Sequence, residues 1–214
     1  MLKNNTSAAP TQSFFDTSKR QLFLLVCLST LVLLFVKKSF IENETAAFEF
    51  LEEQSAGSVL YVRSALQYFS IPLIYAWKFI VLAFVIWTGC FTFGYRVTYT
   101  QCWKVVMTSE LIFIIPELLR IIWFLVVDTD PNIYEIRAFY PFSLMNFFAF
   151  EDVPAQWHYP LKSLNIFEVG YWLLAAKGVQ HFSRRSYREG FLTILFTYVP
   201  IYILWLAFFV VVYK

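Results

Sequence analysis

An uninterrupted apolar run near the end of the chain most constrains what it can fold into. Residues 191–213 contain no charged side chain and show no alternation of apolar and polar positions. A helix needs roughly 20 mostly apolar residues to cross the hydrocarbon core of a bilayer, whereas the strands of a membrane barrel alternate apolar and polar side chains. The run therefore predicts a membrane-spanning helix rather than a barrel strand.

Four further stretches have similar length and apolarity, so we predict five spans, at about residues 21–37, 71–93, 103–127, 164–182 and 191–213. The first stretch has the charged start and apolar middle of a signal peptide. No small-residue cleavage site closes it before Lys37, so we expect a retained anchor. No repeat or low-complexity linker divides the chain. The prediction is an all-α polytopic membrane protein with a short tail, 1–20, and one membrane domain, 21–214.

The composition excludes several other classes of protein. The chain is 59% hydrophobic and 15% charged, against about 45–50% and 25% in soluble domains. A disordered chain, a disulfide scaffold and an ordinary soluble enzyme are all excluded on this ground. The net charge of +2 is too small to indicate nucleic-acid binding, so we expect the lipid bilayer as a partner and no nucleic acid.

The distribution of basic residues predicts the orientation. Arginine and lysine are in excess in the short connections at 94–104 and 183–190, which places these connections in the cytoplasm. The N-terminus is then cytoplasmic and, because five is an odd number of spans, the C-terminus is outside. Lys37 and Lys38 are the one discordant pair. We expect a multi-pass protein of the bacterial inner (cytoplasmic) membrane.

Two long connections lie outside in this topology. In residues 54–70, apolar side chains recur at helical spacing, which predicts an amphipathic helix on the outer leaflet. Residues 131–162 are rich in aromatic side chains and punctuated by proline, which is typical of an interfacial or re-entrant cap. The same stretch is a candidate docking surface for a partner. Its candidate contact residues are Phe139, Tyr140, Phe142, Phe147, Phe148 and Trp157.

No catalytic or metal-binding pattern emerges. His158 and His181 fall on opposite sides of the membrane in this topology, so they cannot share a metal ion. Cys27, Cys90 and Cys102 lack the CxxC spacing of a redox or metal site and are interpreted as plain thiols. Phosphate-loop, dinucleotide, zinc-protease and serine-hydrolase motifs are absent from the sequence. We therefore expect no metal, no cofactor and no enzymatic activity.

Ionisable residues at membrane depth are the most informative side chains. A charge near the middle of a spanning helix costs about 2.5–3.5 kcal/mol on insertion scales, so it normally faces the bundle and finds a partner. Counting depth from the predicted span ends gives a Lys78–Glu117–Arg120 cluster and a Glu110–Lys177 pair, with Glu168 left without an assigned partner. Two interpretations stay open, a set of structural ion pairs and a relay or headgroup pocket. The full set is Lys78, Glu110, Glu117, Arg120, Glu168 and Lys177.

Residues 94–103 carry a pattern of Gly94, a basic Arg96 and Gln101 that leads into a span with a mid-helix proline, Pro116. Residues 164–172 lead into a span closing on glycine, followed by a basic turn at 183–186 and a last span that again contains proline. Over about residues 70–214 this resembles the Yip (YIPF-like) family of integral membrane proteins, in its bacterial type. The resemblance implies five spans, a cytoplasmic N-terminus and an exoplasmic C-terminus.

Eukaryotic members of that family associate with Rab-type GTPases and trafficking complexes. The tail of about twenty residues here is too short to resemble their binding region, which argues against a GTPase partner. By resemblance, the first functional hypothesis is a non-enzymatic accessory or scaffold subunit that binds other integral membrane proteins, of a trafficking or protein-translocation complex.

Two further hypotheses belong to other classes. A small transporter, or an ion- or proton-conducting protein, would use the buried charges, and its distinguishing feature would be a continuous polar cavity touching Glu110 or Glu117. A lipid-modifying enzyme would need convergent acids and histidines at one interface. Glu151, Asp152 and His158 form the one cluster of that type in the sequence.

Overall fold

The computed structural model describes residues 14–42, 57–127 and 133–213, and in these ranges the chain is helical. We label the helices α1 (Lys19–Lys37), α2 (Gly57–Thr92), α3 (Tyr99–Glu110), α4 (Ile114–Val126), α5 (Ile133–Ala138), α6 (Ala155–Ser163), α7 (Ile166–Ser183) and α8 (Tyr187–Val212). Short 3₁₀ segments cover Phe14–Asp16, Leu111–Phe113, Leu144–Phe147 and Phe150–Asp152, and a π-helical turn covers Lys38–Glu42. Within those ranges, the extended pairing is one bridge between Ser143 and Asn165.

Among the described residues, three helical stretches have the length and apolarity needed to cross a membrane, so the chain has the character of a membrane protein. They are Lys19–Phe40, Ala65–Thr92 and Tyr187–Val212. The other two predicted spans are also helical. The stretch 103–127 is divided between α3, a 3₁₀ turn and α4, and the stretch 164–182 coincides with α7.

The connection before the second span differs from the sequence prediction. Residues 57–70 do not form a separate surface helix, because α2 continues without a break from Gly57 to Thr92 with Pro72 inside it. A proline in a helix removes one hydrogen bond, and membrane helices tolerate this loss where neighbouring groups satisfy the freed carbonyl. Residues 1–13 of the predicted tail and residues 54–56 lie outside the described residues.

Local sequence signals explain where the helices begin. The Thr98 hydroxyl accepts from the Gln101 N–H, and the Gln101 side chain accepts from the Thr98 N–H, which together form a capping box. Ser186 and Glu189 form the same box at the start of α8. Gly94 has a φ of 72° in the α2–α3 turn, a conformation that favours glycine because it has no Cβ. The Gly–Gln pattern of the sequence is therefore a turn followed by a helix cap.

The bundle has two ends, which differ in composition. At the basic end, α2 and α7 finish and α1, α3 and α8 begin, with Lys19, Arg96, Lys104, Arg184 and Arg188 nearby. At the opposite end, which we call the cap end, α5, α6 and the 3₁₀ segments of residues 144–152 cover the helices. Leu144 N–H donates to the Leu164 carbonyl at 3.0 Å, which ties this cap to the start of α7.

The half of the bundle nearer the basic end is closely packed. Side chains of α2, α3, α7 and α8 meet in a core that excludes solvent; its fully buried members include Ile86, Cys90, Cys102, Val105, Val106, Met107, Val179 and Ile194. Glycines bring the helices together: a Cβ added at Gly190 would lie 2.6 Å from the Ala176 backbone oxygen. Close approach at small residues is how membrane helices gain packing energy.

Candidate functional site

A cavity of about 770 Å³ opens in the half of the bundle nearer the cap end. Helices α1, α2, α4, α6, α7 and α8 contribute to its wall, together with the last residue of α3 and the 3₁₀ turn that follows. Most of the wall is apolar, and it carries three acids and several cations. The ionisable side chains in the wall that concern the predicted set are Lys78, Glu110, Glu117, Arg120 and Glu168. The closely packed core lies between this cavity and the basic end.

A salt bridge between α2 and α3 forms the inner part of this cavity. Lys78 Nζ donates to Glu110 Oε1 at 2.5 Å, and the ammonium group lies 5.4 Å from the centre of the Phe113 ring. The Glu110 side chain is 3% exposed, whereas the Lys78 side chain is 39% exposed. Lys78 therefore faces the cavity, while Glu110 depends on Lys78 for neutralisation.

The predicted partners of these two residues were wrong. Depth counting paired Lys78 with Glu117, but α2 and α3 form an antiparallel hairpin, and Lys78 and Glu110 are equally far along the chain from Gly94 in its turn. Counting from the turn pairs them directly. Lys177 does not reach Glu110 because Gly178 packs on Val105 of α3, which is about 7.5 Å nearer the basic end at the rise of a helix.

The helix that carries Glu110 is interrupted at the cavity. Helix α3 ends at Glu110, a 3₁₀ turn covers Leu111–Phe113, and α4 begins at Ile114. Pro116 explains the interruption, since it lacks an N–H and its ring clashes with the carbonyl four residues earlier. Buried oxygens of Thr108, Ser109 and Glu110 have no hydrogen-bond partner among the described residues. Broken helices with unsatisfied polar groups are typical of binding sites near the membrane midplane.

Glu168 has the partners that the sequence did not assign. Asn165 caps the start of α7 by accepting from the Glu168 N–H at 2.9 Å, which orients the first turn. Glu168 Oε1 then accepts from the Tyr198 hydroxyl at 2.8 Å and from Trp172 Nε1 at 3.1 Å. This network joins α7 to α8 and forms part of the cavity wall.

Replacement of Tyr198 by Phe tests this network. The substitution removes the hydroxyl that reaches the buried Glu168 carboxyl, and we expect a loss of about 1–3 kcal/mol of stability, the range for a hydrogen bond to a charged or buried partner. The measurement is the thermal unfolding midpoint in mild detergent. Tyr187→Phe is the control, because that hydroxyl makes a long 3.4 Å contact on the surface. Equal shifts in both variants would contradict the role of Glu168.

Glu117 and Arg120 line the same cavity without a mutual salt bridge. An Arg120 guanidinium nitrogen donates to the backbone carbonyl of Ile136, and its buried Nε has no hydrogen-bond partner among the described residues. Tyr140 lines the cavity together with Glu117 and Arg120, and burial raises the pKa of its phenol above the ordinary value. Among the described residues, no carboxylate lies within 4 Å of Arg120.

The predicted aromatic surface divides into two groups. Phe139 stacks on Trp123 at 5.2 Å and Tyr140 lines the cavity, so both belong to the interior of the cap. The other four candidates lie on the surface of the bundle: Phe142, Phe147, Phe148 and Trp157. Phe147 is the most exposed of them, at 81%.

The acidic cluster of the enzyme hypothesis lies in the cap, where its histidine contacts neighbouring residues of the same segment. His158 Nε2 lies 2.8 Å from the Val153 carbonyl oxygen, and its ring stacks on Phe150 at 4.0 Å. Glu151 and Asp152 lie on the exposed 3₁₀ segment. Among the described residues, no group of three or more His, Cys, Asp or Glu side chains could hold a metal ion.

One pair of residues was missed by the sequence interpretation. Cys90 of α2 and Cys102 of α3 both belong to the fully buried core that these two helices share, although their spacing matches no known thiol motif. The signal was available in the hairpin itself, because both residues lie close to its turn. Cys27 lies on α1 and is also buried.

Comparison of the chain with protein-family models, curated proteins and solved structures finds no significant match. The cavity and its charged wall are therefore the basis for a functional assignment.

Proposed function

We propose that this protein binds a small charged or zwitterionic molecule in the cavity near the cap end and moves it across the membrane. The observation that carries the proposal is the cavity of about 770 Å³ that touches both Glu110 and Glu117. A scaffold subunit does not need an internal cavity of this size. Ionic groups at membrane depth are costly, so their presence in the cavity wall favours a path or a bound partner. The packed core gives the cavity one closed side, as in a transporter open toward one face.

The charges in the wall support a ligand with ionic groups. Lys78 and Glu110 neutralise each other, but Arg120 has a backbone carbonyl as its acceptor and no carboxylate within 4 Å among the described residues. Glu117 lies one helical turn from Arg120 and also faces the cavity. These two groups are placed to contact an anionic and a cationic group of a bound molecule.

Flux into liposomes tests the proposal. Purified protein is reconstituted into vesicles, and the uptake of isotope-labelled glycine, a zwitterion, is measured with and without an imposed proton gradient. We expect flux well above that of empty vesicles, and about a tenfold reduction for Glu117→Gln, equivalent to about 1.4 kcal/mol. Glu151→Gln, an acid outside the cavity, is the control. Flux equal to that of empty vesicles under every condition would reject transport.

The basic residues at one end of the bundle indicate how the chain is oriented in the membrane. We propose five spans, formed by α1, α2, α3 with α4, α7 and α8, in a bacterial inner membrane, with the basic end in the cytoplasm. The Yip-like resemblance supports the same arrangement and remains part of this proposal. A reporter enzyme that is active only outside the cytoplasm, fused after the last residue, should be active; fused in the 183–190 turn, it should be inactive.

A second candidate is an accessory subunit of another membrane complex. It is favoured by the exposed aromatic residues of the cap, where Phe142 adopts a φ of 55°, a conformation that is uncommon for residues other than glycine and that clusters at functional sites. The test is copurification in mild detergent. A partner that is lost from Phe142→Ser with Phe147→Ser, and retained with Phe196→Leu on the lipid-facing side of α8, would support docking at the cap.

A further inference from the structure

A second cavity, of about 330 Å³, lies at the basic end and is independent of the proposed transport site. Its wall is formed by one face of the last turns of α7, by the turn after it, and by Phe15 from the 3₁₀ segment before α1. The residues of the wall are Phe15, Lys177, Gln180, His181, Arg184 and Arg185. Lys177, Gln180, His181 and Arg184 follow helical spacing, so they share one face of α7.

The floor of this pocket is held in place by aromatic contacts. Phe15 is buried, and its ring stacks on His181 with centroids 5.7 Å apart. His181 Nε2 lies 3.1 Å from the Asp16 carboxylate, so the acid beside the pocket is engaged by the imidazole. Lys104 Nζ donates to the Asp16 carbonyl at 3.4 Å. The segment before α1 is therefore anchored against α3 and α7.

The cations around the pocket exceed the acids that could neutralise them. Among the described residues, Lys177, Arg184 and Arg185 have no carboxylate within 4 Å. Glu189 is near enough to Arg185 to interact electrostatically, but it caps α8 by accepting from the Ser186 N–H at 2.9 Å. The Arg185 guanidinium lies 5.9 Å from the centre of the Tyr95 ring, which limits its motion. Three cationic side chains therefore surround an open space.

The position of the pocket near the start of two apolar helices favours a lipid phosphate as the bound anion. The apolar runs of α1 and α8 begin after Arg20 and after Gly190, each six residues along the chain from a lining residue of the pocket, Phe15 or Arg185. Side chains that flank the start of an apolar span lie near the membrane interface, and basic pockets between membrane helices on the cytoplasmic side bind anionic head groups. Arginine is well suited to this task because its planar guanidinium binds phosphate oxygens in pairs.

We propose that this pocket binds the phosphate of an anionic phospholipid, held by Lys177, Arg184 and Arg185. The lipid would join α7 to the segment before α1 and stabilise the basic end. Soluble phosphates carry the same anionic group as the lipid, so the experiment tests a phospholipid and inorganic phosphate separately.

The test measures the thermal unfolding midpoint of the full chain in neutral detergent micelles doped with increasing phosphatidylglycerol, with phosphatidylcholine as the zwitterionic comparison. We expect saturable stabilisation by phosphatidylglycerol alone. Lys177→Gln combined with Arg184→Gln and Arg185→Gln should weaken the apparent affinity at least about tenfold, since each cation near an anionic lipid surface contributes to binding. Lys177→Gln alone provides a milder variant in case the triple variant folds poorly.

Arg188→Gln together with Arg96→Gln is the matched control, because both arginines belong to the basic end and neither lines the pocket. Equal weakening in this control would show a diffuse charge effect and overturn the proposal. Inorganic phosphate provides the second arm. If it stabilises the protein as strongly as phosphatidylglycerol does, the pocket takes a soluble anion and the lipid proposal fails. Neither result bears on flux through the larger cavity.

Discussion

Replacement of Lys78 by Met should cost the folded protein about 3 kcal/mol, the lower part of the range for breaking a buried ion pair by removing one partner. The Glu110 carboxylate is almost completely buried and has Lys78 as its sole cationic neighbour within 4 Å among the described residues. Loss of the ammonium group leaves a charge in a low-dielectric interior. The expected result is a large fall in the unfolding midpoint and in the yield of monodisperse protein.

The two side chains of the pair differ in exposure, so their single substitutions should differ in cost. Glu110→Gln should cost less than Lys78→Met, because the Lys78 side chain is partly exposed to the cavity and remains solvated without its partner. The double variant should recover most of the loss, since no buried charge remains. Lys19→Met is the matched control, because Lys19 is exposed at the basic end and lines neither cavity. A double variant no more stable than Lys78→Met would show that the lysine acts through packing instead.

The second large effect is expected at the contact between α7 and α8. A Cβ at position 190 would lie 2.6 Å from the Ala176 backbone oxygen and 3.3 Å from the Gln180 nitrogen. Backbone atoms of a helix cannot rotate away as a side chain can, so Gly190→Ala must separate the two helices. Overpacking of this kind costs about 1–3 kcal/mol.

Unfolding in a graded mixture of mild and denaturing detergent measures this cost. Ala207→Val is the control, because Ala207 lies on the exposed face of the same helix and the added carbon atoms meet no neighbouring helix. We expect Gly190→Ala to unfold at a lower fraction of denaturing detergent than the native chain, and Ala207→Val to leave the transition unchanged. A transition shared by all three proteins would mean that the helices separate easily at this contact.

The apolar runs and the capping residues could be predicted from the sequence because both are local. A run such as 191–213 has no alternative to a helix in lipid, since a helix satisfies every backbone group within its own segment. Thr98 and Gln101 likewise form their box with atoms three residues apart. The number of spans does not follow as directly, because in the part of the chain that the structure describes three helices are long and apolar enough to cross a membrane.

The pairing of charges could not be predicted from depth along separate spans. That count assumes that helices start at the same level and are unbroken, whereas α2 extends far beyond its apolar part and Pro116 interrupts the helix that carries Glu110. The hairpin geometry that joins Lys78 to Glu110 was available in the chain, but the partnership of Glu168 with Tyr198 joins different helices thirty residues apart. No local pattern encodes such a contact.

The sequence by itself determined that the chain has the apolar helices of a membrane protein, where its apolar runs and helix caps lie, and which ionisable groups interrupt those runs, because the cost of exposing polar groups to lipid acts on every residue separately. The tertiary structure alone decided that those groups surround a cavity, that Glu110 and Lys78 neutralise each other, and that Lys177 joins a basic pocket at the other end. These features depend on helix register and rotation, which are set by side-chain packing between helices distant in the chain.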